Sequence, residues 1–241
     1  MLQSTKTHFR NELLRRLGPA DLSLLEPHFE RISFKLKTVL QRPGAPIEFV
    51  YFPESCIASL IAKIPRGRDS EVGVIGFEGM TGTPLVMGDD RQPCECIIQL
   101  EGDATRLPAE VLSAAMAESP TLRMFLLRYV QSLSTQTSFT ALANARSKLE
   151  ERLARWLLMC ADRVEGEKLE LTHEFLSIML GVRRPGVTVA IQILEGKGLI
   201  RANRGVVVIR DREGLIALTD GAYGIPEDEF ERLVGKIDSA A

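Results

Sequence analysis

The chain has 241 residues, enough for one large domain or two smaller ones, and its 45% hydrophobic and 26% charged residues suit a globular protein with a substantial core. A formal net charge of −2 excludes a polycation that coats nucleic acid over its whole surface, so any such affinity has to come from charge segregation. Four cysteines make no disulfide framework at this size, no apolar run approaches a membrane span, and Met1–Gly18 is too polar for a signal peptide, so the expectation is a soluble, cytoplasmic protein.

In chain order, His8–Leu17 predicts a short amphipathic helix through Phe9, Leu13, Leu14 and Leu17, ended by Gly18-Pro19. Ala20–Phe29 predicts a second, with Asp21 near its start. From Arg31 the hydrophobic period shortens to roughly two residues: Ile32, Phe34 and Leu36 alternate with polar partners before Arg42-Pro43-Gly44 turns the chain. Phe49–Pro53, Ile57–Ile64, Glu71–Ile75 and Cys94–Leu100 read as strands. Turn signals separate them at Pro53-Glu54-Ser55, Pro65-Arg66-Gly67, Gly88-Asp89-Asp90 and Glu101-Gly102-Asp103. Short strands at this spacing predict an antiparallel sandwich or barrel over Arg31–Pro108.

Within that span Gly73, Gly76, Gly79 and Gly82 recur at every third position. No Gly-Lys-Ser/Thr follows, which excludes a P-loop; tight turns between strands are the expectation, a ligand-cradling loop the alternative. Cys94 and Cys96 share one face of a strand but have no second close pair, so they read as small core residues rather than zinc ligands, with a redox-sensing thiol as the alternative. His8, His28 and His173 stand without a companion at ligand spacing. No nucleophile–base pair, metal constellation or cofactor motif is visible, and the expectation is a protein that is not an enzyme and holds no metal or cofactor.

Pro108–Met116 predicts a short helix, and Thr121–Ala145 the longest helical run, free of Gly and Pro. Leu122, Leu126, Tyr129 and Leu133 repeat with the alternating spacing of a two-stranded coiled-coil seam, Phe125 beside them, and the register continues through polar Gln136 and Thr140. These residues are expected at a homodimer interface; the alternative is that the same stripe packs on the β-domain. Arg146-Ser147 is a break, after which Leu149, Leu153, Trp156, Leu157 and Cys160 form the next helix.

Leu171–Arg210 carries the densest signal. Thr172 is placed to N-cap a helix with Glu174 in its first turn, apolar Phe175, Leu176, Met179 and Leu180 follow, and Gly181 supplies the break. A second helix starts after Arg183 with Pro185 in its first turn. Val187, Ala190, Ile191 and Leu194 make one buried stripe, leaving Arg184, Thr188 and Gln192 together on the opposite face. Leu199–Ala202 and Val206–Ile209 flank the hairpin signal Asn203-Arg204-Gly205. From Gly181 to Arg210 six basic residues (Arg183, Arg184, Lys197, Arg201, Arg204, Arg210) face one acid, Glu195, whereas Asp220–Ala241 holds six acids and two bases. Two short helices around a glycine turn, with a basic front and a hairpin wing, read as a winged helix-turn-helix that binds DNA.

The order of β-domain, long helix and winged helix-turn-helix resembles the Crp/Fnr family of transcriptional regulators over nearly the whole chain. The resemblance is carried by Val50-Tyr51-Phe52-Pro53-Glu54-Ser55, by Gly76-Phe77-Glu78-Gly79-Met80-Thr81-Gly82, and by Leu180-Gly181-Val182-Arg183-Arg184 with Leu194-Glu195-Gly196-Lys197-Gly198-Leu199-Ile200. It implies an α+β fold: a jelly-roll-like antiparallel β-roll of the cyclic-nucleotide-binding type with N-terminal helices (1–118), a dimerisation helix (119–145), a winged helix-turn-helix (146–219) and an acidic tail (220–241). It implies a homodimer on a palindromic operator in double-stranded DNA, with RNA polymerase as a further partner. Arg184 takes the position of the family's guanine-reading arginine, Thr172 and His173 positions near the backbone or groove edge, and Arg204 a phosphate contact in the wing. Two departures predict a different operator: Pro185 stands where the family often has a base-reading glutamate, and Val189 where it has a second arginine. Arg183, Thr188 and Gln192 become alternative readers, and Gly186 completes the set facing DNA. The family's Gly-Glu pair for the ribose and Arg-Ser pair for the cyclic phosphate fall near Met80 and at Pro93-Cys94, with Arg91 followed by Gln92-Pro93, so cyclic-nucleotide binding is not expected. Nor is an iron–sulfur cluster, because Met1–Phe29 contains no cysteine. The alternatives are a small-molecule-gated regulator and a partner-binding protein that kept the fold without DNA binding.

Overall fold

A computed structural model describes residues 9–65, 69–164 and 168–235. The N-terminal helix is shorter than its periodicity suggests. Glu54 takes the N–H groups of Arg10 and Asn11 at 2.6 and 2.9 Å, holding the chain out of the helix until Asn11 caps α1 (Glu12–Arg16) by accepting from Leu13 and Leu14. His8 lies outside the described residues. The second expected helix divides into α2 (Pro19–Leu25) and one 3-10 turn, Glu26–His28, because Pro27 has no N–H to continue an α-helix.

The β-roll comprises β1 (Glu30–Phe34), β2 (Val39–Gln41), β3 (Phe49–Pro53), β4 (Ile57–Ala62), β5 (Ser70–Ile75), β6 (Glu95–Leu100) and β7 (Gly102–Pro108), with the short α3 (Thr83–Val86) between β5 and β6. Two antiparallel sheets, β1-β7-β3 and β2-β6-β4-β5, face each other across one core. Gly102 is not a turn but the first residue of β7, in register with Phe34; β7 escaped notice because it has little apolar content. Leu36 falls outside the alternation: β1 ends at Phe34 and Lys37 turns the chain at φ +66°, leaving Leu36 exposed. In the turn expected at Pro65-Arg66-Gly67, the last two residues lie outside the described ones. Cys56 and Cys96 are buried and Cys94 half-buried, and burial raises the pKa of each, so all three remain thiols.

After α4 (Ala109–Glu118), α5 (Pro120–Arg146) runs along the roll and settles where the seam lies. Leu122, Leu126, Tyr129 and Leu133 are 0, 1, 2 and 8% exposed within the single chain, packed on the β-roll with half-buried Phe125 beside them. The polar end of the stripe follows the same logic: Gln136 brackets β5, accepting from Val74 N–H at 2.8 Å and donating to Val74 O at 3.2 Å. The stripe expected at the dimer interface is therefore intrachain core. The face of α5 turned away from the roll carries Met124 (52% exposed) and Leu142 (49%), with exposed Arg128, Gln131 and Ser138 between them.

The C-terminal domain consists of α6 (Leu149–Ala161), β8 (Lys168–Glu170), α7 (His173–Met179), α8 (Arg184–Gly196), β9 (Ile200–Asn203), β10 (Val206–Ile209) and α9 (Arg212–Leu218), around its own core. α6 docks on the roll through Trp156, and Arg163 in the turn after it forms a buried ion pair with Glu78 at 2.7 Å. Here the recurrent glycines have their reason. A Cβ at Gly76 would lie 2.7 Å from Arg163 Cγ, and one at Gly79 would collide with the Tyr129 ring, so Gly76 admits the Arg163 side chain and Gly79 lets α5 approach closely, while Gly79 N–H donates to Gly76 O at 3.0 Å in a tight turn. The acidic tail is not a free appendage. Its helix α10 (Ile225–Leu233) lies against α5, and Phe230 and Val234 join the core of the β-roll. α10 ends at Leu233, and residues 236–241 lie outside the described ones.

Candidate nucleic-acid interface

The helix-turn-helix forms where its caps require. Thr172 Oγ1 accepts the Phe175 N–H at 3.2 Å and starts α7; Gly181 turns at φ +63°; Pro185 sits in the first turn of α8. The stripe Val187, Ala190, Ile191 and Leu194 is buried against α6 and α7, which fixes the rotation of α8 about its axis. The opposite front presents Arg184 and Gln192 exposed and Thr188 half-exposed, with Val189 outward at 53% exposure.

The wing is a β9–β10 hairpin closed by Arg204 and Gly205, both in the left-handed region at φ +45° and +83°, the conformation of a tight two-residue hairpin turn. β8 pairs with β10 and widens the wing to three strands. That strand had no sequence signal beyond Leu169 between charged neighbours. Glu195, the one acid of the basic stretch, accepts the Ala202 N–H at 2.8 Å and ties the wing to α8. A concavity of about 220 Å³ separates α8 from the wing, bordered by His173, Thr188, Gln192, Asn203 and Arg204.

The structure thus brings Thr188, Gln192, His173 and Arg204 around one groove, with His173 Nδ1 3.1 Å from Thr188 Oγ1. Arg183 is the exposed N-cap of α8, and Thr172 serves as the cap of α7. Gly186 is placed elsewhere: a Cβ there would lie 3.2 Å from Leu149 Cδ2, so it allows α8 to meet α6 instead of facing a ligand. Sequence reading missed the partner of Glu174, which pairs with Arg184 at 2.8 Å while both remain exposed. Only the three-dimensional turn between α7 and α8 brings the two together.

In the β-roll, the positions bearing on a cyclic nucleotide are differently engaged. Met80 is fully buried, and Arg91 points outward, donating to Gly44 O at 2.8 Å. Gln41 holds Thr81 and Gln92 together, accepting from Gln92 at 3.0 Å. Among the described residues no cluster of three His, Cys, Asp or Glu is arranged to hold a metal ion, and no helix is long and apolar enough to cross a membrane.

Comparison with known proteins agrees with this geometry. The family model for the Crp-like helix-turn-helix domain matches residues 151–218. The CRP-like cAMP-activated global transcriptional regulator of Mycobacterium tuberculosis is 22% identical over 218 residues, covering 85% of this chain and 97% of that protein. FixK2 from Bradyrhizobium japonicum superposes with a TM-score of 0.69 at 16% identity, over 79% of this chain and 96% of its own. A CRP-family transcriptional regulator from Thermus thermophilus gives 0.66 at 18% identity, over 81% and 98%. With β-roll, long helix and winged domain in this order, residues 151–218 are a Crp-like helix-turn-helix domain, and the chain has the fold of the Crp/Fnr transcriptional regulators.

Proposed function

We propose that the chain is a dimeric, sequence-specific regulator that reads a palindromic operator with α8, grips phosphate with the wing, and takes no cyclic nucleotide in its β-roll. The observation that carries this reading is the groove between α8 and the wing, where Thr188 and Gln192 stand opposite Arg204, with the apolar back of α8 buried and Arg184 exposed at its N-terminal end, paired with Glu174. An arginine at the N-terminal end of a recognition helix reaches guanine O6 and N7 with two of its guanidinium N–H donors, and Arg204 at a wing tip meets the backbone. Val189 supplies an apolar contact of the kind that favours a thymine methyl.

Pairing of two copies is supported by the outward face of α5, where Met124 and Leu142 are apolar and exposed at opposite ends of a coiled-coil register. Two recognition helices on a palindrome must stand one DNA turn apart, ~34–36 Å. The reading without a cyclic nucleotide rests on chemistry: a buried phosphate needs an arginine fork, and Arg91 is turned outward to Gly44.

Selection of bound duplexes from a random pool by the purified protein tests the proposal. The expected result is an enriched palindrome with G·C pairs at the Arg184 positions. Recovery of nothing above background, with and without cell extract, would overturn it. Cyclic AMP is expected to leave the melting temperature unchanged, since a ligand that does not bind adds nothing to stability.

A further inference from the structure

Trp156 and Cys160 lie one turn apart on α6, and a closed run of side-chain hydrogen bonds ties both to the β-roll. Trp156 Nε1–H donates to Glu71 Oε1 at 2.7 Å. Glu71 Oε2 lies 2.6 Å from Ser59 Oγ, Ser59 Oγ touches Gln99 Oε1, and Gln99 Nε2–H donates to Cys160 Sγ at 3.1 Å. Glu71 on β5, Ser59 on β4 and Gln99 on β6 are all buried, and β4 pairs with both neighbours. None of them belongs to the DNA-facing groove.

The hydrogens decide how the circuit is wired. Ser59 has one hydroxyl hydrogen yet sits between an oxygen of Glu71 and the carbonyl oxygen of Gln99. With Glu71 protonated, each contact of the circuit has one donated hydrogen: the carboxyl O–H donates to Ser59 Oγ, the Ser59 hydroxyl donates to Gln99 Oε1, and the Gln99 amide donates to Cys160. With Glu71 ionised, the hydroxyl has to turn to the carboxylate, and two oxygens, Ser59 Oγ and Gln99 Oε1, are left facing each other unless the amide turns over.

We propose that this circuit is a proton-operated latch, which holds the DNA-binding domain on the β-roll when Glu71 carries a proton and loosens when Glu71 is ionised.

The surrounding charges do not cancel an ionised Glu71. Arg155 of α6 and Arg163 of the turn after it act on Glu71 and are both committed elsewhere; Arg152 borders the same void, with its Nε–H unpaired among the described residues. Arg163 pairs with Glu78; Arg155 donates to Ala222 O at 2.8 Å and Thr140 Oγ1 at 3.1 Å; Arg152 donates to Leu180 O. Glu227 of α10 acts on Arg155 and Arg163, and Cys160 is held as a neutral thiol by burial. A void of about 20 Å³ bordered by Glu71, Arg152, Arg155 and Trp156 has room for one water molecule. Burial therefore dominates and pushes the Glu71 carboxyl up to about 7, against the pull of Ser59, Trp156, Arg163 and Arg155. The docked state binds the proton more tightly than a released carboxyl does. Docking thus weakens as pH rises from the ordinary carboxylate range toward 7, with no further loss from this group above it.

Because α6 packs on α8 and Arg152 holds the end of α7, release of α6 frees the recognition helix to turn relative to α5. That consequence for DNA rests on the function proposed above; the latch does not. Trp156 is the single tryptophan of the chain, so its fluorescence reports the joint directly.

The experiment is a fluorescence titration of the full-length protein from pH 5 to 9. A transition with its midpoint near 7 in the wild type, absent in Glu71→Gln, is the expected result. A flat wild-type profile, or a transition that survives in Glu71→Gln, overturns the proposal. If Glu71→Gln fails to fold by far-UV circular dichroism, Ser59→Ala replaces it; removing the hydroxyl that joins Glu71 to Gln99 breaks the circuit and should shift the midpoint, and an unmoved midpoint overturns the latch. Affinity for the selected duplex is measured over the same range. A fluorescence transition with no change in DNA binding would fault the DNA reading and leave the latch standing.

Discussion

α5 and α8 are both amphipathic helices with an apolar stripe at helical spacing, and they bury it against different things. In α8 the stripe faces α6 and α7 of its own small domain, close by in sequence, and the polar front is left open. In α5 the stripe faces a β-roll assembled from residues far earlier in the chain, and the face left exposed is the one with fewer apolar residues. A stripe states that a helix face is covered; it does not state by what. The heptad-like spacing of Leu122, Leu126, Tyr129 and Leu133 is equally good for a sheet, because a twisted sheet accepts the same rows of side chains.

The largest expected effect tests that contrast at its base. Leu126→Ala should cost ~2–5 kcal/mol of stability, as buried Leu→Ala changes do. Because Leu126 is intrachain core, the loss of melting temperature should be the same at low and high protein concentration. A loss that disappears on dilution would return Leu126 to a seam between copies.

On α8, Arg184→Ala should remove ~1–3 kcal/mol of discrimination at one base pair of each half-site, read by competition between the selected operator and single-base variants. Leu142→Glu, on the outward face of α5, should weaken pairing of copies by about tenfold, ~1.4 kcal/mol, in sedimentation equilibrium, with the far-UV spectrum unchanged. An unaltered association constant would direct the search for a dimer contact away from this face. The smallest effect belongs to the wing: Arg204→Ala should weaken all duplexes about equally and lower the slope of log affinity against log salt by ~0.9 per wing, ~1.8 for two copies on one palindrome.

Glu174 sharpens the contrast within α8 itself. It engages the arginine expected to read guanine, but both side chains are exposed, and exposed pairs contribute little to stability. Its effect belongs to the orientation of Arg184 and not to the fold.

Local information was enough for much of this protein. The N-cap Thr172, the break at Gly181, Pro185 in a first helical turn and the Arg204-Gly205 hairpin each act through backbone groups a few residues away, so composition and spacing declared them. The rotation of α8, and hence its exposed polar front, followed from one stripe for the same reason. What tertiary structure decided was pairing at long range. The burial of the α5 stripe, the return of α10 to the β-roll core, the close approaches at Gly76 and Gly79, and the meeting of Glu71 with Trp156 each join residues far apart in the chain. Periodicity records that a side chain is hidden and carries no record of its partner, because burial free energy depends on the area removed from water and not on which segment removes it.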